Sequence, residues 1–363
     1  MTANSKPCIG VLTYHNGPNF GGFMQAWHLV HAVRSLGYEA HAVNYLHATH
    51  HESNQINIPL KNLSSLKAKI FWMLKKRGFR NIENEICRHS YTTDASKVPW
   101  DDFDAFVVGS DIVWDYAQPA FGNDPAYFGE VPGLRDKPII SYAASCGPAN
   151  PEGPFPDYVK EGLGRFTSIG VRDDATARLV KNAAGLESQL VVDPTWLGDD
   201  PGPTWGGLPT SKYLFAYGGR IDDQMGADLK DYCQSRGLQL VSALTSNRHA
   251  DKMYRSLTPF QWVQLFKHAE ATAIVGTLHG TLFTIKYGRP FVLVNTPAIS
   301  PKIAQVLERT SQQFRLFEPG TITRKDLSIL DRSEAEPPQI PESWLDDSRK
   351  FLGDSISKAL DRS

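Results

Sequence analysis

The 363-residue chain has no strong charge of one sign: 38 Lys and Arg stand against 39 Asp and Glu, a formal net charge of −1. Without a global basic field, nucleic acid is not expected as a main partner. Cysteine is scarce, and Cys8, Cys87, Cys146 and Cys233 form no CxxC pair. That argues against a zinc framework and a disulfide scaffold, and it fits a reducing compartment. No apolar run reaches the ~18–20 residues a membrane span needs. The polar start, Met1 to Pro7, runs directly into an apolar strand, so no signal peptide is expected. A Walker loop, HExxH, GxSxG and GxGxxG are all missing. What remains is an ordinary globular composition, 41% hydrophobic and 21% charged, long enough for two domains. A cytoplasmic protein without a metal or a bound cofactor is expected.

Short apolar runs alternate with helical periodicity. Cys8–Leu12 is the first strand, followed by a helix with Met24, Trp27, Val30 and Val33 on one face and Gly37 at its end, then a strand from Glu39 to Tyr45. This βαβ unit is the building block of a doubly wound parallel sheet. Further strands are expected at Phe103–Val108, Ile139–Ala144, Ser168–Val171 and Leu190–Val192, and a helix carrying a basic cluster over 60–90. Residues 198–211 are rich in Gly, Pro and Asp and form the best linker. Beyond them the pattern restarts, with strands at Tyr213–Ala216, Leu238–Leu244, Ala271–Val275 and Phe291–Val294. The expected organisation is α/β: two Rossmann-like doubly wound domains over 1–200 and 201–325, then a polar tail with a closing helix over 326–363.

The segment Val275-Gly276-Thr277-Leu278-His279-Gly280-Thr281 joins a buried strand to a helix expected to open near Thr281. In open α/β sheets, ligands sit outside the carboxyl ends of the strands. A helix N-terminus there offers backbone N–H groups and a partial positive charge to an anion. A His at that place can move protons near neutrality, or merely cap a turn. The loop Asn19-Phe20-Gly21-Gly22 with Gln25, between the first strand and helix, is either a tight turn or a binding loop. Ser110 and Asp111 follow a strand end; Asp111 is equally a sugar-hydroxyl ligand or an N-cap. Arg172, Arg220 (after Gly218-Gly219) and Arg248 (after Asn247) each follow a strand, and several such arginines suggest an anionic substrate. Lys75, Lys76, Arg77 and Arg80 would suit an anionic membrane surface, although a solvated helix face is the commoner reason for such a cluster.

Taken in order, NFGGFMQAWHLVHAVRSLGYEAHAVNY (19–45), VGSD (108–111), SYAASCG (141–147), VRDD (171–174), VDPT (192–195) and GTLHGTLF (276–283) resemble the polysaccharide pyruvyl transferase family. The resemblance implies a glycosyltransferase-B-like fold, two sheets whose strand ends face a cleft. It implies transfer of the enolpyruvyl unit of phosphoenolpyruvate to two sugar hydroxyls. By resemblance His279 is the catalytic residue and Arg172 binds the anionic donor, together with Thr277, Leu278, Gly280, Thr281 and Arg248. Asn19, Gly21, Gly22, Gln25, Ser110 and Asp111 are expected on the acceptor side. Many members carry Arg where this chain has Thr277, so Arg248, Arg220 or Lys286 is expected to supply that charge. They also often carry Gln where this chain has Ile112. The partners implied are phosphoenolpyruvate as co-substrate and a sugar or oligosaccharide acceptor, with peripheral contact at the inner membrane face if that acceptor is lipid-linked. Two alternatives stay open: a nucleotide-sugar-dependent glycosyltransferase, and a non-catalytic sugar-binding homologue.

Overall fold

The computed structural model describes residues 6–56, 70, 73, 77–79, 82–121, 123–200, 202, 205–244, 247–296, 300–331 and 337–362. The chain forms two compact units, one of Met1–Ser64, Asn81–Asp199 and Glu342–Ser363, the other of Ser65–Arg80 and Asp200–Pro341. Of the expected basic helix, Lys75, Lys76 and Arg80 lie outside the described residues, and Arg77 is exposed. Ile82–Glu85, within the same stretch, is a 3₁₀ turn.

The first unit is built on strands β1 (Cys8–Leu12), β2 (Glu39–Ala42), β3 (Ala105–Val108), β4 (Ile139–Ala144), β5 (Ile169–Val171) and β6 (Gln189–Leu190). They pair in parallel in the order β2-β1-β3-β4-β5-β6. β1, β3 and β4 are buried along their whole length, the pattern of parallel strands covered on both faces. Helix α1 (Phe20–Ser35) starts where Asn19 accepts the Gly22 N–H at 3.1 Å. α2 (Ala48–Ile56) and α3 (Asp157–Leu163) follow, and then α4 (Asp174–Ala184). α4 is capped by Asp173 and ended by Gly185 in the left-handed region.

The second unit repeats the plan with β7 (Tyr213–Gly218), β8 (Gln239–Ala243), β9 (Lys252–Tyr254), β10 (Ala271–Val275), β11 (Phe291–Val294) and β12 (Leu316–Phe317). Their order, β12-β11-β10-β7-β8-β9, is the 3-2-1-4-5-6 arrangement of dinucleotide-binding sheets. Its helices are α5 (Asp223–Ser235), α6 (Pro259–Lys267), α7 (Leu278–Lys286) and α8 (Ser300–Arg309). A capping box between Thr258 and Gln261 starts α6.

The last helix, α9 (Glu342–Leu360), packs on the first unit, so the segment expected as a separate tail is divided between the two units. It buries Leu345, Leu352, Ile356 and Ala359, and Ser348 Oγ accepts the Val192 N–H at 3.0 Å. A side chain at Gly170 would meet the Phe351 ring of α9 at 2.5 Å, which explains glycine in the middle of β5. In each sheet the strand order reverses at one point, between β1 and β3 in the first and between β7 and β10 in the second. Those switch points are where the carboxyl ends of open parallel sheets receive ligands.

Candidate functional site

In the second unit, β10 leads into Gly276 at φ +61°, where an added Cβ would meet the Thr296 side chain at 2.6 Å. The chain then extends through Thr277 and enters α7 at Leu278, three residues earlier than the apolar spacing indicates. His279 is therefore the second residue of the helix, half-buried, and not part of the preceding loop. Thr277 occupies the N-cap but makes no capping bond, and its buried Oγ1 has no hydrogen-bond partner among the described residues. No acidic residue lies in the first turn. Leu278, His279 and Gly280 thus form a helix start without a side-chain cap from Thr277, and the first N–H groups of a helix lack intrahelical acceptors. Gly280 is required for space, since a Cβ there would stand 2.4 Å from Thr277 Oγ1. Thr281 is committed within the helix, its hydroxyl donating to the Thr277 carbonyl at 3.0 Å.

β7 is pinned beside this junction. The Gly219 N–H donates to the Val275 carbonyl at 2.7 Å, and Gly218 at φ +119° leaves no room for a side chain against that oxygen. Beyond the two glycines Arg220 is exposed. Arg248, after β8, pairs with Asp223 at 2.9 Å, both side chains being largely exposed. Lys286 lies at the opposite end of α7 from His279. It forms a buried ion pair with Asp200 at 3.0 Å, and the Tyr287 hydroxyl also donates to Asp200. Of the three candidates for the charge missing at Thr277, Arg220 follows β7, the strand next to β10, and Arg248 follows β8, one strand further out.

In the first unit, Arg172 follows β5 with its side chain 7% exposed. It pairs with Asp193 at 3.3 Å and Asp111 at 3.6 Å, not with Asp174, and one of its terminal nitrogens makes no hydrogen bond. Burial alone would lower its pKa, but the carboxylates of Asp111, Asp193 and Asp173 outweigh that and hold it above the ordinary value. Asp173 is taken up by the Thr176 N–H and the Ser145 hydroxyl. Asp111 adopts φ +73°, a left-handed conformation uncommon outside glycine, and accepts the Ile112 N–H at 2.9 Å. Gln25 and Ser110 are buried and bound to each other, with Ser110 Oγ donating to Gln25 Oε1 at 2.5 Å. Gln25 Nε2 donates to Thr13 Oγ1 and to the Gly22 carbonyl. Asn19 caps α1, and Gly21 and Gly22 are buried within its first turn. These five residues brace the β1–β3 switch point; among the acceptor-side candidates Asn19 is exposed and the Asp111 side chain keeps partial exposure, 16%.

Spacing gave no signal for the aromatic cluster beside that loop. The Tyr14 ring meets His50 at 4.6 Å, Tyr127 at 4.7 Å and Phe121 at 5.3 Å. Burial pushes the His50 pKa down to about 4, against the opposing pull of the Asp111 carboxylate and with a smaller lowering from His47. At the amino ends of β1 and β2, away from both switch points, the ligand atoms of Cys8, Glu39 and His41 lie within 4.8 Å of one another. No sequence spacing announces this grouping, because only the strand pairing of Cys8 with Glu39 creates it. Its Glu39 is already engaged by His41 and Arg88.

No curated protein matches the chain significantly. Among solved structures it is similar to the spinosyn forosaminyltransferase SpnP at 12% identity, over 98% of this chain and 96% of that one, with a TM-score of 0.47. A putative UDP-N-acetylglucosamine 2-epimerase from Listeria monocytogenes is similar at 12% identity, over 99% and 95%, with a TM-score of 0.47. MurG from Acinetobacter baumannii is similar at 10% identity, over 97% and 99%, with a TM-score of 0.43. A sequence profile of the polysaccharide pyruvyl transferases matches residues 19–297, which takes in the start of α1, the ends of β3 and β5 and the whole β10–α7–β11 segment. The chain belongs to the polysaccharide pyruvyl transferase family.

Proposed function

We propose that this protein transfers the enolpyruvyl unit of phosphoenolpyruvate onto two hydroxyls of a sugar, giving a pyruvate ketal and free phosphate during polysaccharide assembly. The observation that carries this reading is the β10–α7 junction. There a half-buried imidazole stands in the first turn of a helix whose N-cap residue, Thr277, makes no side-chain capping bond. Phosphoenolpyruvate bears a carboxylate and a phosphate, and such anions suit a helix start. The reaction begins when a proton reaches the methylene carbon, leaving a cationic centre at the carbon that carries the phosphate ester. One sugar hydroxyl adds there and gives up its proton. The second hydroxyl then displaces phosphate, which departs with the remaining proton. His279 is the group assigned to this proton traffic, and such help contributes about 10²–10⁴ in rate.

In the first unit we assign hydroxyl recognition to the β1–β3 switch point, with Asp111 as the acceptor contact. Arg172 stays a proposed anion ligand through Nη2, which faces Asp111 at 3.6 Å and makes no hydrogen bond among the described residues. The chemistry needs no redox group and no metal, so no cofactor is assigned. No helix among the described residues is long and apolar enough to cross a membrane, and membrane contact would be peripheral.

A thermal-shift comparison of phosphoenolpyruvate with a panel of nucleotide sugars tests the proposal. A ligand at 100 times its Kd stabilises by roughly 2.7 kcal/mol. Stabilisation by phosphoenolpyruvate supports it; stabilisation by nucleotide sugars alone supports glycosyl transfer instead.

A further inference from the structure

The second unit holds a cavity of about 520 Å³ at the carboxyl ends of β7 and β8, on the strand next to β10. Its walls are unusually rich in donors. Arg220 is exposed on one side, with no ion-pair partner among the described residues. Arg248 and His249 stand on the other side. Asn247, 3% exposed, lies in the wall with its Oδ1 accepting the His249 N–H at 3.0 Å, while its Nδ2 has no hydrogen-bond partner among the described residues. A buried amide nitrogen left in this state is unfavourable until an acceptor reaches it. Asp223, the first residue of α5, adds a helix start to the rim. The N-cap Asp222 occupies the Met225 N–H and leaves the two N–H groups before it without intrahelical acceptors.

We infer that this cavity is a phosphoryl-binding subsite. Two guanidinium groups from neighbouring strand ends, an unmet amide donor and a helix start line the same cavity. That arrangement suits the three outward oxygens of a tetrahedral phosphate better than a planar carboxylate. The acid in the lining, Asp223, does not oppose it strongly. Asp223 and Arg248 are 65% and 69% exposed, and an ion pair that open to water is weak and easily exchanged for a dianion. The cavity wall includes Gly219, whose N–H donates to the Val275 carbonyl at the end of β10, so Arg220 brings positive charge to the strand adjoining the His279 junction, where Thr277 itself brings none. Naming phosphoenolpyruvate as the bearer of the phosphate rests on the proposed function; the subsite itself does not.

Isothermal titration of the full chain with inorganic phosphate, phosphoenolpyruvate, uridine diphosphate and pyruvate tests the inference. The proteins compared are the wild type, Arg220→Gln and Arg248→Gln. Both arginines are exposed, and thermal unfolding checks that the variants stay folded. The expected result is that phosphate and phosphoenolpyruvate compete for one site. Either substitution then weakens both by about 10–150-fold, the range of a lost charge-assisted hydrogen bond. Pyruvate, lacking the phosphate, is indifferent to both substitutions. Arginine-dependent binding of uridine diphosphate without binding of phosphoenolpyruvate keeps the subsite and removes the pyruvyl-transfer reading. Phosphoenolpyruvate binding that both variants retain in full overturns the subsite and leaves that reading standing. A wild type that binds none of the phosphates overturns the subsite outright.

Discussion

Replacing Arg172 by Met removes the cation between two carboxylates that water can barely reach. The Asp193 side chain is 2% exposed and that of Asp111 16%, and both face the guanidinium at 3.3 and 3.6 Å. Truncating one partner of a buried ion pair costs about 3–5 kcal/mol, because the remaining charge is left uncompensated. The partial exposure of Asp111 places the expected loss at the lower end, about 3 kcal/mol. For a unit of this size that is a fall in Tm of roughly 6–12 °C. The measurement is urea unfolding without ligand, followed by tryptophan fluorescence, since Trp114 and Trp196 are buried in the same unit. A triple variant that also carries Asp111→Asn and Asp193→Asn removes all three charges and should recover most of the loss. The reasoning is refuted if Arg172→Met loses less than about 1 kcal/mol, the scale of an exposed pair, or if the triple variant is no more stable than the single one.

His279→Ala is expected to fold normally and lower turnover by about 10²-fold or more, read in a phosphate-release assay; unimpaired turnover would return His279 to a structural role. Stability should fall as the solution is acidified, because the unfolded His50 titrates near 6.5 and the folded one at about 4. The unfolded chain binds the extra proton in that window, so His50 stabilises above pH 6.5 and loses its contribution as pH drops towards 4, about 2 kcal/mol between pH 7 and pH 5. His50→Phe should flatten that slope, and parallel pH curves for variant and wild type would contradict the assignment. Chelation should leave turnover unchanged; activity lost to a chelator and restored by a divalent ion would point back to Cys8, Glu39 and His41.

The strands were legible where burial made them continuous. Cys8–Leu12, Ile139–Ala144 and Ala271–Val275 are apolar but for Ser141 and Thr272, and their boundaries in the structure are those the sequence indicates. β9 and β12 were not, because three-residue and two-residue edge strands with half-exposed side chains carry no periodicity. The place of His279 was legible, but the start of its helix was not. Leu278 and Gly280 do not announce a first turn, and Thr277, the natural cap, does not cap. Arg172 was visible as a strand-end cation, yet its two carboxylate partners come from 61 and 21 positions away in the chain, beyond any local pattern. Gln25 and Ser110 resembled binding residues because polar groups beside glycines suggest a ligand. In the fold they satisfy each other across 85 positions of sequence. The donor-rich cavity follows from strand order, which sets the ends of β7 and β8 side by side, with β7 next to β10.

Phosphorus NMR of phosphoenolpyruvate turnover, run in heavy water with a panel of sugar acceptors, tests pyruvyl transfer most directly. The account predicts that inorganic phosphate accumulates only when a suitable sugar is present. It also predicts that the ketal methyl group carries one deuteron from the solvent, and that His279→Ala loses both signals. Phosphoenolpyruvate that stays intact while a nucleotide sugar is consumed with the same acceptors would contradict it.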